Sequence, residues 1–365
     1  MSVLEFARPD LLRLAGYSSA RMEASGGRIL LNANESPWPQ DDAAPLNRYP
    51  DPQPPRLRAL LADLYGVDAS QLLIGRGSDE MIDLLVRGFC RAGQDAILVQ
   101  PPTFGMYAVC AAVQGASVRT VPLRGDEFTP DFEGVIAAVA ASTAAVPSHA
   151  EPIKIVFACA PNNPTGGLPV RSDLLRLARA LRDRALLVID EAYIEFADAD
   201  SFAGDVAGNP NLVVLRTLSK AHGLAAARVG CMIAAPEIVA FLRRIMPPYP
   251  LPTPCSDAAE AALTVESLRH TRERIAMLRA ERERLRQCLR THPAVRAVLP
   301  SQANFLTVRF DDAGARYAEL LAAGIVVRDV RRYPGLADAL RISIGTPEEN
   351  AAVLATLDVR REHFA

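Results

Sequence analysis

Short, mostly apolar segments recur along the first two thirds of the chain, and they constrain its fold more than any other feature. They lie at residues 72–74, 96–99, 117–121, 153–158, 186–189, 212–215 and 229–234. Apolar residues at helical spacing separate several of them, as at 56–65, 81–90 and 172–183. Strands without a polar face are typical of parallel sheets that helices cover on both sides. The pattern therefore predicts an α/β fold with a mostly parallel central sheet.

The last third of the chain has a different order of elements and predicts a smaller α+β domain. One long helix is predicted over residues 255–291, after the Pro-rich run 247–254, and charges of alternating sign at helical spacing over 269–290 give it a solvated face. Further strands are predicted at 305–310, 325–328 and 340–344, and further helices at 316–322 and 347–358. We expect residues 46–245 to form a large domain, and residues 1–45 and 246–365 to form an N-terminal arm and a small domain.

Composition argues against several classes of partner. The net charge is −2 and no long basic run occurs, so nucleic acid is not an expected partner. The chain has neither an apolar stretch of membrane-spanning length nor a signal-peptide pattern, which predicts a cytoplasmic protein. Its six cysteines and five histidines follow none of the common metal-binding spacings, so no metal is expected.

Lysine is scarce, since the chain has 38 arginines but only two lysines, Lys154 and Lys220. A lysine amine can lose its proton near neutral pH and act as a nucleophile, whereas the arginine guanidinium cannot. Lys220 comes just after a predicted strand, while Lys154 lies at the start of one. Scarcity alone leaves two interpretations of Lys220 equally open, a nucleophilic amine and an ordinary surface cation.

Polar clusters follow several of the predicted strands. They occupy residues 75–80, 101–104, 161–167, 190–193 and 216–223. In parallel sheets, ligands bind beyond the carboxyl ends of the strands. Because each cluster lies at such an end, we expect all of them to contribute to one shared site.

A Gly-x-Gly turn leads from the first strand into a helix, and it has two interpretations. Gly75 and Gly77 permit close backbone approach, and the free N–H groups at a helix start bind anions. The alternative is an ordinary helix cap formed by Ser78 or Asp79, which leaves the two glycines unexplained. A P-loop is excluded because no Gly-Lys-Ser/Thr follows.

Three more side chains have both a structural and a functional interpretation. Asn163 opens a Pro-Gly turn, or its amide donates a hydrogen bond to a ring substituent. Asp190 follows a buried strand, where it either caps a helix or pairs with a cation such as a protonated ring nitrogen. Arg341 lies in an apolar strand and forms an ion pair or binds an anionic ligand. An amine, a buried acid, an anion site and such an arginine are together typical of a pyridoxal phosphate enzyme.

Ten motifs along the chain occur together in one known family. They are Tyr17-x-x-Ala20-Arg21, Leu31-Asn32-Ala33-Asn34-Glu35, Arg48-Tyr49-Pro50-Asp51, Gly77-Ser78-Asp79-Glu80, Pro101-Pro102-Thr103-Phe104-Gly105-Met106-Tyr107, Pro161-Asn162-Asn163-Pro164-Thr165-Gly166, Asp190-Glu191-Ala192-Tyr193, Arg216-Thr217-Leu218-Ser219-Lys220, Arg228-Val229-Gly230 and Leu340-Arg341-Ile342-Ser343-Ile344-Gly345-Thr346. With these motifs the chain resembles the fold-type-I aminotransferases, which depend on pyridoxal 5′-phosphate. The resemblance covers nearly the whole chain and implies a large cofactor-binding domain with a smaller α+β domain.

The resemblance implies roles for individual side chains around the cofactor. Lys220 is expected to hold pyridoxal phosphate as a Schiff base and then to move the proton of the substrate Cα. Asp190 is expected to keep the pyridine nitrogen protonated, and Phe104 to stack on the ring. Asn163 and Tyr193 are expected to hold the ring oxygen. The residues expected to bind the cofactor phosphate are Ser78, Asp79, Ser219 and Arg228.

The resemblance also implies substrates and a partner. The expected reaction is amino transfer between L-glutamate and imidazole acetol phosphate, which gives 2-oxoglutarate and histidinol phosphate in histidine biosynthesis. Arg341 is expected to bind the α-carboxylate of glutamate and, together with Arg328, Tyr17 and Asn34, the phosphate of the other substrate. Tyr49 is expected to reach the site of a partner subunit in a homodimer.

Departures from the family pattern leave other functions open. Phe104 stands where the family often has Tyr, His222 stands where an apolar residue is common, and residues 225–227 are three alanines instead of a glycine-containing stretch. An aromatic or broad-specificity aminotransferase and a decarboxylase of a phosphorylated amino acid remain alternatives. A ligand-sensing module is a further one, but residues 1–45 are too interrupted by proline to supply a DNA-binding helix-turn-helix.

Overall fold

Two β-sheets organise the protein, a large one in the first two thirds of the chain and a small one in the last third. The computed structural model describes residues 2–16, 29–43, 45–143 and 151–358. Tyr17, one of the expected substrate residues, lies outside these described residues. Within them, no helix is long and apolar enough to cross a membrane.

The large sheet has seven strands. They are β1 (Leu72–Arg76), β2 (Ala96–Val99), β3 (Ser117–Thr120), β4 (Ile153–Cys159), β5 (Leu186–Asp190), β6 (Leu212–Thr217) and β7 (Val229–Ile233). The strand order is β1-β7-β6-β5-β4-β2-β3, and strands β3, β2, β4, β5 and β6 pair in parallel. Strand β7 lies between β1 and β6 and runs antiparallel to both of them. The predicted α/β fold with a mostly parallel sheet is confirmed.

Helices cover both faces of the large sheet. They span Pro55–Tyr65, Ser78–Phe89, Met106–Gln114, Phe132–Thr143, Arg171–Ala180 and Pro236–Ile245. Successive side chains of a strand point to opposite faces, so an apolar strand contributes to two cores. In β5, Leu187 belongs to the buried cluster on one face and Val188 to the cluster on the other. This is why the strands lack a polar face.

The helix after β1 begins earlier than predicted. It was expected at residues 81–90 and spans Ser78–Phe89. Its N-cap is Gly77, with φ +81°, and no side chain caps it. The alternative interpretation of Ser78 or Asp79 as an ordinary N-cap is therefore wrong, because both residues already belong to the first helical turn. Their side chains are left available for other contacts.

The predicted long helix is two helices, Thr253–Ala262 and Val265–Arg290. The break is at Thr264, whose hydroxyl accepts a hydrogen bond from the Ser267 backbone N–H at 3.3 Å. Such an N-cap satisfies a donor that has no partner within the helix and starts a new helix at that position. The expectation of one uninterrupted helix over 255–291 is therefore wrong.

The small sheet is antiparallel throughout. Its strands are β8 (Val295–Val298), β9 (Phe305–Phe310), β10 (Arg328–Asp329) and β11 (Ala339–Ser343), in the order β10-β11-β9-β8. The helices Ala313–Ala322 and Pro347–Asp358 pack on it with the end of Val265–Arg290. The strand expected at 325–328 is wrong in its extent, since β10 is confined to two residues.

Contacts between the two sheets bring β11 close to the ends of β4 and β5. The Thr307 hydroxyl on β9 donates to the Pro164 carbonyl, which lies beyond the end of β4. Phe305 meets the edge of the Tyr193 ring, with centroids 5.3 Å apart. Both contacts are buried, and they position the small sheet against the carboxyl edge of the large one.

We predict that Thr264→Ala lowers the free energy of unfolding by about 1 kcal/mol, because it removes the hydroxyl that caps the second helix. The measurement is the urea midpoint followed by circular dichroism. Thr356→Ala is the matched control, since Thr356 bonds within a helix to the Ala352 carbonyl. Equal shifts for the two variants would contradict the capping role.

Candidate active site

One cleft lies at the carboxyl edge of the large sheet, where β1, β4, β5 and β6 end. It is lined by Gly77, Ser78, Asp79, Phe104, Cys159, Asn163, Asp190, Ala192, Tyr193, Thr217, Ser219, Lys220, Ala225 and Arg228. Nine of the ten residues expected at the cofactor are in this set, and Tyr49 is the exception. The clusters after separate strands therefore meet in one place, as parallel topology requires.

One end of the cleft is suited to a phosphate group. The helix Ser78–Phe89 begins there, and the first N–H groups of a helix have no partner within it. The Arg228 guanidinium adds positive charge and donates to the Asp79 carboxylate at 3.0 Å. Arg228 itself has φ +55°, a conformation that few residues other than glycine adopt.

Two glycines make this close packing possible. A Cβ atom on Gly77 would lie 2.7 Å from Nη2 of Arg228. A Cβ atom on Gly230 would lie 2.5 Å from the backbone nitrogen of Ser78, so β7 can approach the helix start only without a side chain. Glycine is needed at both positions because a larger residue would displace the groups that form the phosphate end.

Asp190 is the buried acid of the cleft, with only 2% of its surface exposed. Its Oδ2 accepts a hydrogen bond from the Tyr107 hydroxyl at 2.8 Å, and its Oδ1 accepts one from the Ala192 N–H at 3.1 Å. Burial raises the pKa of Asp190 to about 6, although these two hydrogen bonds and Lys220 oppose the rise. A cationic ring N–H would stabilise this carboxylate, so the site suits a protonated pyridine ring.

Lys220 supplies the amine of the cleft. Much of its side chain is accessible, yet burial of the amine is the main cause that lowers the pKa of Lys220. Arg341 and Arg228 lower this pKa further, while Asp79 and Asp190 oppose them. The lowered pKa favours the neutral, nucleophilic amine. The other lysine, Lys154, is the second residue of β4 and lies at the opposite end of that strand from the cleft.

Arg341 on β11 reaches the cleft through Asn163. Its Nη1 donates to the Asn163 Oδ1, which leaves the Asn163 NH₂ group to donate elsewhere. The Nε atom of Arg341 is buried and has no hydrogen-bond partner among the described residues. Burial lowers the pKa of Arg341, and Arg328 lowers it further. An arginine with unused donors is well suited to a carboxylate or a phosphate.

Asn163 is presented by the turn that the sequence predicted. The Gly166 N–H donates to the Asn162 carbonyl at 2.7 Å, and Gly166 has φ +85°. The Asn162 amide in turn donates to the Pro102 carbonyl at 2.9 Å, which ties this turn to the segment after β2. The turn is thus both a structural element and the support of a side chain in the cleft.

The remaining expected site residues lie in two other places. Arg328 is the cross-strand partner of Arg341 and so lies beside the cleft. Asn34 and Tyr49 line a separate cleft with Arg48 and Pro252. There Tyr49 stacks on Tyr249, with ring centroids 4.4 Å apart. Within one chain, Asn34 and Tyr49 therefore do not join the residues around Lys220.

Sequence analysis missed a buried ion network beneath the Lys220 segment. Arg216, at the end of β6, donates to Glu195 at 2.6 Å, to the Ser201 hydroxyl at 3.0 Å and to Glu191 at 3.4 Å. It ties the segment that carries Lys220 to the segment that follows Asp190. An arginine at the end of an otherwise apolar strand was the available signal.

His222, one of the departures from the family pattern, lies beside this network. Its Nδ1 is buried without a hydrogen-bond partner among the described residues. Burial is the main cause that lowers the pKa of His222, which favours the neutral ring. Its ring therefore packs behind the Lys220 segment and does not line the cleft.

Comparisons with known proteins agree with this geometry. Residues 28–357 match the family model for aminotransferase class I and II. The chain is 53% identical to histidinol-phosphate aminotransferase of Xanthomonas euvesicatoria pv. vesicatoria (strain 85-10), over 100% of this chain and 99% of that protein. It is 54% identical to the Stenotrophomonas maltophilia (strain R551-3) protein of the same name, over 98% and 97% of the two chains.

A solved structure supports the same assignment. The fold resembles histidinol-phosphate aminotransferase from Sinorhizobium meliloti in complex with pyridoxal-5′-phosphate, with a TM-score of 0.75. The two chains are 26% identical, and the match covers 89% of this chain and 88% of the other. The likeness therefore extends over both sheets.

We predict that Gly230→Ala weakens the binding of pyridoxal phosphate about tenfold or more, because the added methyl group clashes with the start of the helix Ser78–Phe89. Binding to the cofactor-free protein is measured by fluorescence quenching. Pyridoxal, which lacks the phosphate, should lose much less affinity. Gly208→Ala is the control, because a Cβ atom there meets nothing within 4 Å. Equal losses for both ligands would refute the role of Gly230 at the phosphate end.

Proposed function

Because the chain belongs to the class I and II aminotransferase family, we propose that it transfers an amino group between L-glutamate and imidazole acetol phosphate, with pyridoxal 5′-phosphate as cofactor. The products are 2-oxoglutarate and histidinol phosphate, and the reaction belongs to histidine biosynthesis. Identity of about half the residues with proteins of that activity, over the full length, supports the choice of substrate. The observation that carries the proposal is the cleft in which Lys220, with its lowered pKa, lies with buried Asp190.

The cofactor, when bound, supplies an electron sink for the negative charge that develops on the substrate Cα. The side chains of this protein position it. Asp190 would accept a hydrogen bond from the ring nitrogen and stabilise its protonated form. Asn163 and Tyr193 would donate to the ring oxygen, and Phe104 would stack on the ring. Ser78, Ser219 and Arg228 would bind the phosphate, together with Asp79 through its backbone N–H at the helix start.

Lys220 has two tasks in this proposal. Its amine would hold the cofactor, and its Nζ would move the proton between the substrate Cα and the cofactor carbon. Both tasks need an amine that is neutral for part of the cycle. The burial and the neighbouring guanidinium groups that lower the pKa of Lys220 support this assignment.

Arg341 gives one anion site to both substrates. It binds the α-carboxylate of glutamate in one half-reaction and the phosphate of the amino alcohol in the other. The buried Nε of Arg341, which no described residue hydrogen-bonds, and the neighbouring charge of Arg328 support this role. Tyr17 and Asn34 complete the site for the phosphate of the amino alcohol substrate.

In this proposal the protein is a homodimer in the cytoplasm. Residues 46–245 form the cofactor-binding domain of each subunit. Tyr49 reaches the site of the partner subunit, and Asn34 accompanies it. Two observations support a contact of Tyr49 with a partner subunit. Tyr49 is half exposed, and with Asn34 it lines a cleft other than the one around Lys220.

We predict that glutamate converts the bound cofactor to its amine form, seen as the loss of the long-wavelength absorbance band. Lys220→Ala should lower kcat/KM by a factor on the order of 10² to 10⁴, the usual contribution of a proton-transferring group. Borohydride reduction followed by peptide mapping should label Lys220. Label on Lys154, or a band that glutamate leaves unchanged, would refute the proposal.

We predict that Arg341→Gln raises KM about tenfold or more for both glutamate and histidinol phosphate, because both anions lose a charged hydrogen-bond donor. Arg296→Gln is the control. Arg296 is an exposed residue of β8, and its guanidinium pairs with the Asp338 carboxylate. Wild-type protein should use histidinol phosphate in preference to phenylalanine as amino donor. The reverse preference would favour the aromatic aminotransferase.

A further inference from the structure

Tyr107 lies beneath the cleft, where it contacts Asp190, Phe104 and Cys159 of the lining. Its hydroxyl donates to Oδ2 of Asp190 at 2.8 Å. The Tyr107 ring stacks on Phe157, with centroids 4.5 Å apart and planes 7° from parallel. It also meets the edge of Phe104 at 5.6 Å. The side chain is fully buried, so packing and this hydrogen bond together set its position.

The hydrogen bond restrains the Asp190 carboxylate. One oxygen is held by Tyr107 and the other by the Ala192 N–H. Each carboxylate oxygen has a second lone pair, which remains for a ligand N–H. With both oxygens held, the carboxylate cannot rotate freely, and its unused lone pairs keep a fixed direction.

The same hydrogen bond keeps Asp190 ionised. Burial raises the pKa of Asp190, and the Tyr107 hydroxyl is the strongest of the contacts that lower it. Asp79 on the neighbouring helix raises this pKa, and Lys220 lowers it. The thiol of Cys159 and the phenol of Tyr193 also face this carboxylate, and burial raises the pKa of both, so both stay neutral.

We propose that Tyr107 is a positioning residue for amino transfer, whose hydroxyl keeps Asp190 ionised and aimed at the ring nitrogen of the cofactor while its ring supports Phe104. The inference rests on the proposed function in one respect, which is the binding of pyridoxal phosphate next to Asp190. Tyr107 touches neither substrate nor cofactor in this assignment, so it acts through Asp190. Its loss should affect the electronic state of the cofactor more than the binding of glutamate.

Tyr107→Phe is the direct test, because it removes the hydroxyl and keeps the ring packed against Phe157 and Phe104. In the cofactor-free protein, the pKa of Asp190 should rise by about one unit, measured by ¹³C NMR with Asp190→Asn to assign the signal. An unchanged pKa would overturn the proposal. This measurement needs no turnover, so it tests Tyr107 even if the proposed substrates are wrong.

Kinetics supply the second readout. Tyr107→Phe should lower kcat about tenfold, leave KM for glutamate nearly unchanged and move the acidic limb of the pH profile upward. In an Asp190→Asn background, Tyr107→Phe should have little further effect. An equal loss in both backgrounds would show that Tyr107 does not act through Asp190.

Tyr65→Phe is the matched control for loss of a buried hydroxyl. The Tyr65 hydroxyl is also buried, and it has no hydrogen-bond partner among the described residues. Its removal should leave the Asp190 pKa and the pH profile unchanged. If Tyr65→Phe moved them as Tyr107→Phe does, general loosening of the core would explain both effects, and the proposal would fail.

Discussion

The burial of the Asp190 carboxylate is the constraint on which the rest of the site depends. An unpaired charge at the end of an apolar strand costs several kcal/mol, so it must be hydrogen-bonded and balanced. The hydroxyl of Tyr107 and the N–H of Ala192 satisfy part of this need, and the pKa of Asp190 still rises to about 6. A protonated ring nitrogen would complete the balance, which would link the ionised state of this acid to the cofactor.

The second constraint is how closely separate segments approach one another. At the phosphate end, β7 packs against the start of the helix Ser78–Phe89, and only glycine at position 230 permits this contact. Beside Asn163, the contacts of Thr307 and Phe305 hold the small sheet against the large one. These contacts bring Arg341 to Asn163. The cleft itself is lined by residues that follow strands of the large sheet, and the small sheet adds Arg341, which reaches it through Asn163.

The sequence was most informative where local pattern decides the structure. Continuous apolar strands predicted the parallel sheet, and its topology brought Lys220, Asp190 and Asn163 together. Local pattern failed at Thr264, where a hydroxyl caps the start of a second helix and divides the one helix that was predicted. It also missed the partner of Asp190, because Tyr107 lies 83 residues away and only packing brings the two together. Asn34 and Tyr49 line a separate cleft, and no local pattern in the sequence indicated that position.

The scarcity of lysine has a physical explanation in this geometry. A guanidinium keeps its charge even when buried, so arginines can surround an amine without exchanging protons with it near neutral pH. Arg341 and Arg228 both lower the pKa of Lys220 in this way. Beneath the same segment, Arg216 stays charged between the buried Glu191 and the partly buried Glu195. A lysine at any of these three positions would itself lose its proton more readily when buried. The composition thus leaves one proton-labile amine in the cleft, with arginine at each neighbouring site that needs a permanent positive charge.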